Sequence, residues 1–182
     1  MKRHALLYGF DEQLAKWAVA RVPWADYNPH KKPVGVSSGP DAADKLLAVV
    51  IYHDYRPPKM VGGVEWYNTV EMSIAAASPA WATRGMIIDL LKIPFSQFKV
   101  RKVRLICPST NKRAIRFAEG IGFTPEGTLR HEYAKGVHAC VLGLLRTEFE
   151  HGNFLKKRKK PAKRSRSHGQ EHAVAAAATA GA

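Results

Sequence analysis

The sequence predicts a mixed α/β domain, with helices on both faces of one sheet, followed by a basic tail. Three observations carry this. Residues 46–53, LLAVVIYH, form a nearly unbroken apolar run rich in β-branched side chains, as a strand buried on both faces requires. Ala114, Phe117, Ala118 and Ile121 recur at i, i+3, i+4 and i+7, which makes the segment opened by Asn111 an amphipathic helix with Lys112, Arg113, Arg116 and Glu119 on its other faces. From Lys156 the text becomes KKRKKPAKRSRSHGQEHAVAAAATAGA, which has no core-forming pattern before its alanine run and is expected to be disordered.

The remaining elements follow in chain order. Residues 4–10 read as a first strand. Asp11 is placed to cap a helix through about Val22, with Leu14, Trp17, Ala18 and Val22 on its buried side. Pro23 ends it, and residues 23–32 hold the prolines and Asn/Asp turn formers of a loop. A short strand at 34–37 and a turn at 38–41 lead into the strand at 46–53, which Pro57 and Pro58 break. A further extended region covers 64–76. A helix is expected over 81–98, with a kink or early end at Pro94, which lacks a backbone donor and crowds the preceding turn. Residues 102–107 form the next strand, and Ser109 or Thr110 is placed to cap the helix that follows. Gly120 and Gly122 bracket its end, as a left-handed cap requires. An extended segment starts at Phe123 and Thr124, and a last strand runs over 138–145. The order is β-α-β-β-β-α-β-α-β-β, without internal repeats.

A length of 182 residues with 46% hydrophobic content suits one domain over 1–150 and a tail over 151–182. No apolar run approaches the ~20 residues of a bilayer span, so no membrane association is expected. The apolar stretch of MKRHALLYGFDEQ is broken by Asp11 and Glu12 and is too short for a signal peptide. Cys107 and Cys140, both in predicted strands, read as reduced thiols rather than as a disulfide, a metal site or a nucleophile. These features predict a cytoplasmic protein without a metal. Half of the formal charge of +14 falls after residue 150. The stretch 156–166 is what an electrostatic anchor to nucleic acid or another acidic partner looks like, although it has no aromatic residue for base stacking. A solubilising tail reads the same way.

The order Asn111, helix, Gly122-Phe123, Glu126-Gly127, Leu129-Arg130, strand, Arg146-x-Glu148 resembles the C-terminal half of the GNAT (general N-acetyltransferase) superfamily. It looks most like the branch of ribosomal-protein acetylating enzymes and small phage acetyltransferases, and the resemblance runs from about Tyr8 to Glu150. It implies a single mixed, mostly antiparallel sheet that splays where acetyl-CoA binds. It also implies acetyl-CoA as co-substrate, direct transfer to a primary amine, and a monomer or homodimer. The alternative is a scaffold that has lost transfer and binds nucleic acid through its basic tail.

The family's pyrophosphate loop, Arg/Gln-x-x-Gly-x-Gly/Ala, matches Ala82-Thr83-Arg84-Gly85-Met86 only in part. Arg84 and Gly85 are in register, and Ala82 and Thr83 are small enough for phosphate to approach a helix start. Asn111 matches an asparagine that bonds the pantetheine arm, and capping alone would also explain it. Strand amides around Ala75–Ala77 are expected to polarise the thioester carbonyl. Glu71, fourteen residues before Gly85, falls about where many relatives carry a general base, and a solvent-facing strand carboxylate is the other reading. His53 is the second candidate base. Where many relatives carry a tyrosine acid in the Asn111 helix, this chain has Ala118, which leaves Tyr133 as a candidate proton donor or the thiolate to depart without one.

Overall fold

The computed structural model describes residues 4–22, 31–40, 45–152 and 154. Residues 23–30 of the loop expected over 23–32, the end of the turn at residue 41 and the basic stretch 156–166 lie outside the described residues, and Lys32 already belongs to β2. Nine strands are described: β1 Ala5–Leu7, β2 Lys32–Ser37, β3 Leu46–Arg56, β4 Lys59–Val61, β5 Val64–Trp66, β6 Thr69–Ala76, β7 Lys102–Pro108, β8 Thr124–Ala134 and β9 Val137–Leu145. The helices are α1 Asp11–Val19, α2 Arg84–Lys92, α3 Lys112–Gly120 and α4 Arg146–His151. Seven strands form one sheet in the order β1-β2-β3-β6-β7-β9-β8. Every neighbouring pair is antiparallel except β6 and β7, which run parallel. This is the mixed, mostly antiparallel sheet that the family resemblance implies.

β3 shows why helices cover both faces. Its side chains alternate, so Val49 and Ile51 pack with Leu14 and Ala18 of α1 while Ala48, Val50 and Tyr52 join the larger core of Leu90, Leu91, Ile121 and Leu142. α1 approaches closely because β2 carries Gly35, where a Cβ would meet Leu14 Cδ2 at 2.9 Å. On the α1 face the register continues from Ile51 to His53, the first polar group of that row.

Several local expectations are corrected. Phe10, not Asp11, holds the cap position of α1, and Asp11 lies in the first turn, where a carboxylate favours the positive end of the helix. The extended region 64–76 divides, and its first part pairs with β4 in a separate hairpin turned by Gly62 (φ 58°) and Gly63 (φ 79°). The helix expected over 81–98 instead begins with a 3-10 turn at Pro79–Trp81, and α2 proper starts at Arg84 with Thr83 as its cap. Pro94 ends the α-helical part at Lys92, and a π-helical turn follows over Ile93–Gln97. Pro94 has no N–H to offer the Leu90 carbonyl, which instead accepts the buried Tyr52 hydroxyl at 2.7 Å. Asn111, rather than Ser109 or Thr110, caps α3 through its Oδ1 on the Ala114 N–H. The packed fold extends past residue 150: α4 runs to His151, and Phe154 packs against the core beneath the Arg84 guanidinium. Among the described residues, no helix is long and apolar enough to cross a membrane.

Candidate active site

β6 and β7 pair at only three positions, Thr69↔Lys102, Val70↔Val103 and Glu71↔Arg104. Beyond these each strand follows its outer neighbour: β6 stays with β3 through Ala76, and β7 stays with β9 through Pro108. The strands therefore part, and a cavity of about 970 Å³ opens between them. One wall is Ser73, Ile74, Ala76 and Ala77, the other Leu105 to Pro108, and α3 closes the space with Ala114, Phe117 and Ala118. Phe117 meets Trp81 edge to face, with centroids 5.6 Å apart.

The parting exposes backbone. The Ala77 N–H donates to the Leu47 carbonyl of β3 at 2.8 Å. Successive strand amides point to opposite sides, so the Ala75 amide also turns toward β3, and those of Ile74 and Ala76 turn toward the gap. In the expected stretch 75–77, the gap-facing donor is thus Ala76. The Ala75 side chain is buried against α1 and does not line the cavity, whereas Ala77 does.

Where the strands still pair, side chains converge. His53, Glu71 and Arg104 stand directly opposite one another on β3, β6 and β7. Glu71 Oε2 accepts from Arg104 Nη2 at 3.2 Å, and its Oε1 lies 3.9 Å from His53 Nε2. His53 Nε2 also lies 2.9 Å from Ser73 Oγ, and His53 Nδ1 lies 2.9 Å from Asp54 Oδ2. Asp54 reaches its neighbour because β3 bulges there, with Asp54 at φ 48°. Glu71 is not solvent-facing: its side chain is 12% exposed. Burial raises its pKa above the ordinary value, against the opposing pull of His53 and Arg104. Tyr133 of β8 lines the same cavity beside Glu132, and burial, with Cys107, Glu71 and Glu132 nearby, pushes its phenol up to about 12.

At the other end of the cavity, Ala82, Asn111 and Arg113 contribute to the lining. Thr83, Arg84 and Gly85 are exposed at the start of α2, just outside it. Gly85 has open space around it: an added Cβ meets nothing within 4 Å. Met86 lies in the core, and its N–H donates to Thr83 Oγ1. The structure thus brings Glu71, His53, Tyr133, Ala77, Ala82 and Asn111 to one cavity and leaves Ala75, Thr83, Arg84, Gly85 and Met86 outside it. Arg104, Ser73 and Asp54 are partners that sequence reasoning missed. An arginine set between Val103 and Leu105, in a strand that is apolar after it, was the available signal. His53, Asp54 and Glu71 bring ligand atoms within 4.8 Å of one another, a spacing that suits a metal ion. Arg104 already neutralises Glu71 there, which disfavours a cation.

No family model and no curated protein matches the chain. Solved structures do. A chimeric spermidine N-acetyltransferase from Vibrio cholerae superimposes with a TM-score of 0.61 at 16% identity, over 82% of this chain and 99% of that one. The spermidine N-acetyltransferase from Vibrio cholerae in complex with CoA and spermine gives 0.59 at 16%, over 81% and 98%. At that identity the likeness establishes the fold, the mixed α/β sheet of the GNAT acetyltransferases.

Proposed function

We propose that this protein transfers an acetyl group from acetyl-CoA directly to a primary amine. One observation carries the reading: the amides of Ile74 and Ala76 face the gap between β6 and β7, on the same strand that holds Glu71 in a buried carboxylate–imidazole cluster. The gap suits the extended pantetheine arm, whose amides can pair with that strand edge. Asn111 and Arg113 line the far end, and the first turn of α2 offers backbone N–H groups and a positive dipole end to the pyrophosphate. The Ala76 N–H is aimed to hold the thioester oxygen as it gains charge.

Asp54 and Glu132 also line the cavity and offer carboxylates to an incoming ammonium ion. Glu71, a stronger base than an ordinary carboxylate because it is buried, takes the amine proton. His53, oriented by Asp54, stands beside it as the second base. The amine nitrogen then bonds to the carbonyl carbon, the carbon–sulfur bond breaks, and its electron pair leaves on sulfur. With its pKa near 12, Tyr133 stays protonated and donates a hydrogen bond to the departing thiolate. The solved neighbour that binds CoA and spermine supports an amine acceptor. The sequence resemblance to ribosomal-protein and phage enzymes keeps protein amines beside small metabolite or antibiotic amines and amino nucleobases.

Calorimetric titration with acetyl-CoA, followed by a mass-shift screen of these amine classes, tests the reading. Binding at one site and the gain of one acetyl group on an amine are expected. A folded protein that does not bind acetyl-CoA, or that releases acetate with every amine offered, would overturn it.

A further inference from the structure

The edge hairpin of β8 and β9 carries a feature that the proposed chemistry has not used. The two strands pair up to Leu129↔Ala139 and again at Ala134↔Val137, so residues 130–133 of β8 stand against His138 alone. Two imidazoles fasten this bulge from within. The His131 N–H donates to His138 Nδ1 at 3.0 Å, and the Gly136 N–H donates to His131 Nδ1 at 2.8 Å. The rings meet edge to face, with centroids 5.1 Å apart. Both Nδ1 atoms accept, so both neutral rings carry their proton on Nε2. His131 sits at φ 58°, a left-handed conformation that is uncommon for residues with a side chain, although histidine and asparagine enter it more often than most.

A bulge re-aims the side chains of its strand. Here the re-aimed residues are Glu132 and Tyr133, both of which line the cavity although β8 is otherwise almost wholly exposed. The His138 carbonyl in turn accepts the Ser109 N–H at 2.9 Å, which ties the bulge to the segment leading into α3.

We propose that His131 and His138 are positioning residues: their paired imidazoles hold the bulge that sets Tyr133 and Glu132 over the reacting atoms. The role in transfer rests on the acetyltransferase reading, but the latch itself does not. A proton added at either Nδ1 would set a donor against a donor and open the latch. The other titratable groups nearby are Arg130, Glu132, Tyr133 and Lys135 on the hairpin, Cys140 on β9 and Cys107 on β7.

The test compares His131→Ala with His131→Asn, and His138→Ala with His138→Asn. Asparagine presents an acceptor close to where Nδ1 stands, enters the left-handed region readily and does not titrate. Each alanine variant should lose about 10-fold to 100-fold in kcat, with KM for acetyl-CoA within about twofold, as misplacement of a group that acts on the reacting atoms predicts. The asparagine variants should recover most of the loss and keep a larger fraction of their kcat than the wild type on acidification. Amide exchange at Gly136 and the ring resonances of Tyr133 should change in the alanine variants and not in the asparagine ones. These two readouts need no activity, so a protein that transfers nothing but shows them keeps the latch and loses the transferase reading. Alanine variants with unchanged Gly136 exchange and unchanged Tyr133 resonances would overturn the latch. Equal impairment of the alanine and asparagine variants would overturn it too.

Discussion

The two halves of β6 do opposite things with the same strand. Over Thr69–Glu71 it is paired on both sides, its backbone is taken up by the sheet, and the proposed chemistry falls to side chains held in register: His53, Glu71 and Arg104. Past Glu71 the β7 side is open, past Ile74 the side chains shrink to Ala75, Ala76 and Ala77, and the backbone is the surface the proposed chemistry uses. Under the acetyltransferase reading, a strand zipped at one end and parted at the other presents acid–base side chains in one half and carbonyl-polarising amides in the other.

The largest break in this comparison is expected at the paired half. Glu71→Gln keeps the shape and the contact to Arg104 but cannot take a proton, and turnover should fall by roughly 10²–10⁴-fold. Acetyl-CoA affinity should hardly change. The pH dependence has a definite sign. Burial raises the folded pKa of Glu71 above that of an ordinary, solvated glutamate. Its contribution to stability is therefore full below that value and is lost as pH rises through the folded pKa. Near neutral pH the glutamine variant should melt no lower than the wild type, and wild-type activity should fall on acidification before an ordinary carboxylate would titrate. Full activity in Glu71→Gln together with a dead His53→Ala would move the base to His53.

The paired half was the more legible in sequence. Glu71 and His53 could be singled out because carboxylates and imidazoles advertise their chemistry wherever they stand. Periodicity was enough for β3 and α3, whose apolar patterns are strong. Arg104 was hidden because its meeting with Glu71 depends on a register between strands 33 positions apart in sequence. The Ala76 amide was hidden because amide direction depends on which neighbour a strand keeps. Asp54 and His131 adopt left-handed conformations that no composition predicts, so the β3 bulge and the histidine latch were invisible. Ala118 marks the limit of reading by resemblance. It is buried in the core, 2% exposed, where many relatives are expected to carry a phenol. Tyr133, which does line this cavity, sits on β8 rather than on α3.

The parted half can be broken through its backbone. Ala76→Pro removes an N–H that faces the gap and leaves the amide bonds to β3 in place. Turnover should fall by about 10²–10³-fold, the usual loss for one carbonyl-polarising donor. Ala75→Pro removes an amide turned toward β3 at a position 1% exposed, and should destabilise the fold instead. Circular dichroism melts and steady-state rates separate the two. If both variants melt early, or if both turn over normally, the assignment of amides to the two sides of β6 is wrong.

The smallest effect is expected farthest from the reacting atoms, at the start of α2. Gly85 is exposed and a Cβ there meets nothing, so Gly85→Glu is accommodated sterically, and any effect must come from charge. A carboxylate in the first turn of a helix is itself mildly stabilising, because it meets the positive end of the dipole. The melting temperature should therefore hold or rise slightly. The same carboxylate would compete with the pyrophosphate for that dipole end and repel it. Acetyl-CoA affinity should weaken by more than about tenfold, the equivalent of ~1.4 kcal/mol. Added salt should narrow the gap between variant and wild type by screening the repulsion. Gly85→Ala serves as the neutral control and should bind like the wild type. An unchanged affinity in Gly85→Glu would place the phosphates away from α2, most simply toward Arg113 at the edge of α3, while leaving the side-chain and backbone roles along β6 untouched.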